Sequence, residues 1–343
     1  MSNLKSRLLY VDLLRGMAIL LVVVGHFIQE NSVQSASSPL FGWIYGFHMP
    51  LFMFISGYMA FKTTRVDNFT DFLSFLKNRS LGLLVPYFAW PLIVDNFFFT
   101  SHRKSDLLEV AVDLTHKWNH LWFLWYLFFL LLAYVAFYAI SNLINKKRLL
   151  LMDIIVTSFI MAILAVIKFF RLPFPADIDS FLLYFIFFFT GIFISKYPLL
   201  SGLILNKFTF SLVLLIFFVF SGRYNYVDTS SMNKVIKMVV SMTAIASLYY
   251  LANTIVLHPY VEKYLRLWGR NSIVIYTTHF TMIKFLAGFT IMSNLFLLPM
   301  VLISLIGSII IITACMAVLS LVELNPLLNL ILYGHRDKKA KKA

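Results

Sequence analysis

Charge is scarce in this chain. Asp, Glu, Lys and Arg make up 13% of its 343 residues, while 60% are apolar and 36 are Phe. A water-soluble domain carries about 25% charged and about 45–50% apolar residues. So few charges cannot cover so much apolar surface, and a soluble fold is excluded. Cysteine is rarer still: Cys315 stands alone in an apolar run. A single thiol has no intrachain partner, which excludes disulfide scaffolds, thiolate zinc sites and Cys-pair redox chemistry. Internal repeats and low-complexity tracts are missing too, and no loop is long enough for a second catalytic domain. Chemistry is therefore expected among membrane helices or at the two membrane faces.

Apolar length is what the chain does have. Ten stretches approach the roughly 20 residues that a bilayer demands. They fall at 11–28, 41–61, 81–99, 120–141, 149–167, 180–195, 203–220, 235–256, 272–290 and 295–321. The first carries Asp12 and Arg15 and is followed by nine more, so it reads as a span rather than a cleavable signal peptide. The expected fold is all-α: one polytopic transmembrane helical bundle over 1–343 with a short basic tail at 334–343.

The net charge of +14 raises nucleic acid as a partner, and the placement of the charges argues against it. Of 29 Lys and Arg, 19 fall at the N-terminus, in or beside even-numbered loops (Lys207 at the loop-six end of the seventh stretch) and in the tail, 7 in odd-numbered loops, and Arg15, Lys237 and Lys284 within spans. Positive charge stays on the cytoplasmic side, so both termini are expected there. The longer loops, around 29–40, 100–119 and 221–234, then face outward.

Ionisable residues inside spans each need a reason, because a charge at mid-bilayer costs at least ~2.5–3.5 kcal/mol. The first span carries Asp12, Arg15-Gly16 and Gly25-His26. At about 100° per residue, Arg15 and His26 point the same way, about 16 Å apart along the axis, and Asp12 lies about 40° from His26. An i,i+3 Asp12–Arg15 pair at the interface explains two of them singly. A polar track with His26 as proton acceptor or donor explains why all three share a face.

Other polar groups cluster near span ends. His48 opens a run through Pro50 and Ser56-Gly57-Tyr58, and lies in the outer part of the membrane. It reads as a helix-capping histidine or as a partner of His26 on a substrate proton. With no well-placed Asp, Glu or Cys beside the two histidines, no metal site is expected. Arg79 stands at the cytoplasmic mouth of span three, as a positive-inside anchor or a phosphate clamp. Trp122, in His120-Leu121-Trp122-Phe123-Leu124, reads as a membrane-belt aromatic or a wall of an acceptor site. Gly269-Arg270-Asn271-Ser272 leads into span nine, where Tyr276 and His279 form an i,i+3 pair, and Lys284 lies deeper.

Taken in order, these motifs resemble the acyltransferase 3 family of integral membrane acyltransferases, in its stand-alone polysaccharide O-acetyltransferase and fucose 4-O-acetylase-like branch. The resemblance runs nearly end to end. It rests on Asp12-x-x-Arg15-Gly16 with the spacing to His26, on His48 to Tyr58, on Leu121 to Leu124, and on Gly269 to His279. One departure stands out: the family's Arg-x-x-Arg before Pro-Tyr has Arg79 first but Gly82 second, and Lys77 is the nearby cation.

The resemblance implies transfer of an acetyl group from cytoplasmic acetyl-CoA to a hydroxyl of an extracytoplasmic or lipid-linked glycan, in a bacterial cytoplasmic membrane. It implies His26, Arg15, Asp12 and His48 as catalytic. Arg79, Arg15, Lys77, Tyr276 and His279 would hold the donor, and Trp122, His48 and Ser56 the acceptor. Direct transfer and a covalent relay through Ser56 or a histidine both remain open. An exporter of a glycan or lipid precursor is the rival from another class. It is disfavoured because no transporter-like internal symmetry is visible. Oligomeric state has no sequence signal.

Overall fold

The computed structural model describes residues 9–32, 38–96, 114, 119–145, 147, 149–286 and 297–335. The basic tail from Arg336 onward, the ends of the expected spans at 97–99 and 287–290, and Lys5, Arg7, Arg103, Lys104, Lys117, Lys146 and Arg148 lie outside them. The described residues are helical nearly throughout. The fold is all-α and polytopic, as expected. Lipid offers backbone N–H and C=O groups no partners, so an apolar run can cross it only if it closes its own hydrogen bonds.

Among the described residues, seven helices are each long and apolar enough to cross a membrane. They are α1 (Leu9–Asn31), α2 (Pro39–Thr63), α5 (Trp122–Ile144), α6 (Leu150–Phe169), α7 (Ile178–Lys196), α10 (Ser231–Thr254) and α13 (Leu297–Val322). An eighth arises if α8 (Pro198–Ile204) and α9 (Lys207–Ser221), bent by 66°, count as one span. The other two expected spans look different. One is α12 (Ser272–Leu286), which runs into undescribed residues. The other continues from α3 (Phe69–Arg79) as a π-wound turn over Ser80–Leu84, the short α4 (Val85–Ala89), and a second π segment over Trp90–Asp95. Pro86 and Pro91 lie in this stretch. A proline ring clashes with the carbonyl four residues back and donates no hydrogen bond, and widening the winding relieves both.

The loops read as simple connections also contain helices. Two of them, α3 and α11 (Pro259–Arg270), are amphipathic, and α14 (Pro326–Tyr333) follows α13.

The chain divides into two compact units, with the boundaries inside α2 and near the end of α13. The first comprises residues up to Ile55 with Pro198–Ser320, and the second Ser56–Tyr197 with the residues from Leu321. In the first unit α1 is the central helix and packs on α10, α11 and α12. Its crossing with α11 is close enough to require glycine on both sides. A Cβ on Gly16 would sit 1.9 Å from the Leu265 carbonyl oxygen, and one on Gly269 would sit 1.9 Å from that of Asp12. The glycines of the first and last sequence motifs thus serve one helix crossing.

The second unit is built on aromatic packing. Phe185 stacks on Phe189 at 4.2 Å between ring centroids, and Phe137 meets Phe189 edge-on at 5.4 Å. On α6, Leu151, Ile155, Phe159, Ile163 and Val166 recur every three or four residues and are exposed, a stripe tolerable only against lipid. Asp153 lies on the opposite face of that helix, fully buried.

Candidate active site

Three histidines from three helices gather in the first unit. His26 comes from α1, His48 from α2 and His279 from α12. The His26 and His279 rings lie 5.2 Å apart between centroids, and Phe280 meets His26 edge-on at 5.8 Å. Tyr45 joins His26 to His48: its ring is 4.7 Å from that of His48, and its hydroxyl lies 3.1 Å from His26 Nδ1.

The hydrogen bonds decide which ring nitrogen can act as a base. His48 Nδ1 lies 2.8 Å from the Ile44 carbonyl oxygen, and His279 Nδ1 lies 3.0 and 2.8 Å from those of Ile275 and Tyr276. A carbonyl can only accept, so Nδ1 carries the proton in both rings and Nε2 carries the lone pair. His26 Nδ1 faces the Tyr45 hydroxyl and, at 3.3 Å, Gln29 Oε1. The Tyr45 hydroxyl itself donates to Gln29 Oε1. With the Tyr45 proton given to Gln29, His26 Nδ1–H is the donor to this pair and Nε2 again is the basic nitrogen. A ring oriented by its Nδ1–H and basic at Nε2 is what a general base requires. Among the described residues, no group of three or more His, Cys, Asp and Glu side chains is placed to hold a metal ion.

Towards the start of α1 the arrangement is different. Asp12 is buried, and Arg270 Nε donates to its Oδ2 at 3.1 Å. Arg270 belongs to the last turn of α11, which Asn271 closes with a side-chain amide donating to the Leu267 carbonyl oxygen at 3.0 Å. Arg15 is half-buried one turn further along α1. Asp12, Arg15 and His26 thus share the α1 helix, with Asp12 tied to α11 and His26 facing α2 and α12. Tyr276 is buried with its ring centroid 5.8 Å from that of His279, as the i,i+3 spacing implies. Lys284 is exposed, its ammonium 5.0 Å from the Phe280 ring centroid.

The remaining candidates belong to the second unit. Arg79 Nη2 donates to Thr64 Oγ1 at 3.0 Å, and its guanidinium lies 6.0 Å from the Phe75 ring centroid. Lys77 is exposed on the same helix, and Gly82 follows in the first π-wound turn with open space where a side chain would stand. Ser56 is half-buried in α2. Trp122 begins α5 and packs with Tyr184 and Tyr126, at 5.0 and 5.2 Å between centroids.

Sequence reasoning missed Tyr45, Gln29 and Arg270. The first two had a legible signal, since Gln29 is three residues past His26 and Tyr45 three before His48, both on one helical face. Arg270 had none: only the α1–α11 crossing brings it to Asp12.

A family model described as an acyltransferase domain matches residues 8–319. Nodulation protein NolL of Sinorhizobium fredii is 34% identical over 130 residues, which is 35% of this chain and 35% of that protein. Nodulation protein NolL of Mesorhizobium japonicum is 30% identical over 130 residues, 35% of this chain and 34% of that protein. The match thus spans about a third of the length of these relatives. No solved structure matches the chain.

Proposed function

Because the chain belongs to the acyltransferase family whose model covers residues 8–319 and is a membrane acyltransferase, we propose that it O-acetylates a glycan. The donor in this reading is cytoplasmic acetyl-CoA. The acceptor is a hydroxyl of an extracytoplasmic or lipid-linked sugar at a bacterial cytoplasmic membrane. The observation that carries the reading is the orientation of His26, whose Nδ1 is held by Tyr45 and Gln29 so that Nε2 is left basic.

The chemistry balances without a metal or redox partner. His26 Nε2 takes the proton of the acceptor hydroxyl as its oxygen attacks the thioester carbonyl. The tetrahedral intermediate collapses, the C–S bond breaks, and the leaving CoA thiolate takes the proton back from the imidazolium. A thioester is already activated, so base catalysis worth about 10²–10⁴-fold suffices for this step. His279 and His48, each with a backbone-held Nδ1–H, would steady the charge and the proton near His26. Arg15, Arg79 and Lys77 are the cations that the family resemblance implies for the donor's phosphates. The cation asymmetry of the loops supports a cytoplasmic donor side with both termini inside.

The test uses inverted and right-side-out vesicles carrying the native protein or His26→Ala. Acetyl-labelled acetyl-CoA is supplied to the cytoplasmic face, and label on extractable glycan is counted. Label that appears with the native protein and is lost with the variant supports the reading. A well-expressed His26→Ala protein that keeps native transfer refutes it.

A further inference from the structure

A cavity of about 650 Å³ lies in the first unit, between the start of α2 and the segment that follows α9. That volume falls within the roughly 300–1,000 Å³ of small-ligand sites. Its walls include Trp43 and Gly42 on one side and Arg223, Tyr224 and Asn225 on the other. Two aromatic rings beside a guanidinium and an amide are the chemistry that receives a sugar. The rings pack on its C–H faces, and the polar groups meet its hydroxyls. The charge asymmetry of the chain would put both wall segments at the outer face, where a glycan would approach.

The wall is built in advance of any ligand. Asn233 Nδ2 donates to the carbonyl oxygens of Asn225 and Asp228 at 2.7 and 2.6 Å, and its Oδ1 accepts from Asn225 N at 3.0 Å. The Asp228 carboxylate accepts from Ser230 N and Oγ at 2.8 and 2.9 Å. Lys237, a charge within an expected span, sets its ammonium 6.0 Å from the Tyr224 ring centroid. Fixing the loop before binding removes an ordering cost that a mobile loop would carry.

The same segment reaches the histidine cluster. Tyr226, adjacent to Asn225, packs edge-on against Tyr45 at 5.0 Å between centroids, and the Tyr45 hydroxyl lies 3.1 Å from His26 Nδ1. We propose that this cavity is the acceptor subsite. It takes a pyranose unit between Trp43 and Tyr224, with Arg223 and Asn225 selecting among hydroxyl or carboxylate substituents, and it presents that sugar to His26. The identification of the sugar as acceptor rests on the proposed function; the sugar binding itself does not.

The test is saturation-transfer NMR on the full chain in lipid nanodiscs. The probes are methyl α-L-fucopyranoside, methyl β-D-glucopyranoside, methyl N-acetyl-β-D-glucosaminide and methyl β-D-glucuronide. Saturation should reach at least one glycoside with the native protein and fall at least tenfold with Trp43→Ala and Tyr224→Ala. Arg223→Ala, at an exposed position, gives a variant whose folding is not at stake, and it should weaken binding of the most polar glycoside severalfold. Absence of transfer to all four glycosides, or transfer unaltered in all three variants, overturns the proposal. Because binding is read without acetyl-CoA, its failure is separate from failure of the vesicle assay.

Discussion

Asp12 in the first unit and Asp153 in the second both lie buried on spanning helices, and a basic side chain meets each. The Asp153 carboxylate is 0% exposed, with Lys196 Nζ and the Tyr197 hydroxyl each 2.5 Å from Oδ2. Ser141 and Asn145 donate to Oδ1 at 2.6 and 2.8 Å. Each carboxylate oxygen therefore has two donors, and the hub ties the ends of α5, α6 and α7. Asp12 meets Arg270, whose side chain keeps 41% of its surface exposed. Its unit carries the oriented histidines and the aromatic cavity. A buried charge is thus met in two different ways in this chain. With both oxygens saturated and its cation buried, the Asp153 hub clasps three helix ends, and Ser141, Asn145 and Lys196 also line a cavity of about 620 Å³; in the Asp12 pair it is the arginine that stays partly exposed.

Substitutions should pull these two behaviours apart. His26→Ala is expected to lower acyl transfer by about 10²–10⁴-fold, with thermal unfolding in detergent close to native, because its contribution is to the reaction. Asp153→Ala is expected to do the reverse. Removing one partner of a buried pair leaves Lys196 uncompensated, at a cost of about 3–5 kcal/mol, read as a lowered unfolding midpoint. An Asp153→Leu, Lys196→Met double variant should recover most of that loss; no recovery would mean that Asp153 does more than clasp helices. Gly16→Ala and Gly269→Ala should each destabilise the first unit by about 1–3 kcal/mol, since a methyl at either place collides with backbone. The smallest effect is expected from Arg270→Gln, about 1 kcal/mol or less, because the lost charge is the partly exposed partner and a glutamine amide can still donate to Asp12. A loss as large as that of Asp153→Ala would dissolve the distinction.

Much of the fold was legible because membrane insertion is governed by local composition. An apolar run of sufficient length must become a helix in lipid, so α1, α2, α5, α6, α7 and α10 fall close to where hydropathy places them. Periodicity put Asp12, Arg15 and His26 along one stripe of α1, and Tyr276 lies near His279 as their i,i+3 spacing implies. The π winding around Pro86 and Pro91 and the helix inside the loop before Ser272 were not read. Hydropathy averages over a window and registers neither a change of winding nor a short amphipathic helix at the interface.

The sequence by itself determined the class of the protein: a membrane chain with a single cysteine and the motifs of an acyltransferase. Tertiary structure alone decided which groups of different helices meet. His26 faces His279 across more than two hundred residues of chain, Arg270 reaches Asp12, and Asn233 folds Asn225 and Tyr224 against the start of α2. Periodicity says which side of a helix a residue occupies, but the neighbour on that side is chosen by packing. Here that choice depends on two glycines that let α1 and α11 approach to backbone contact.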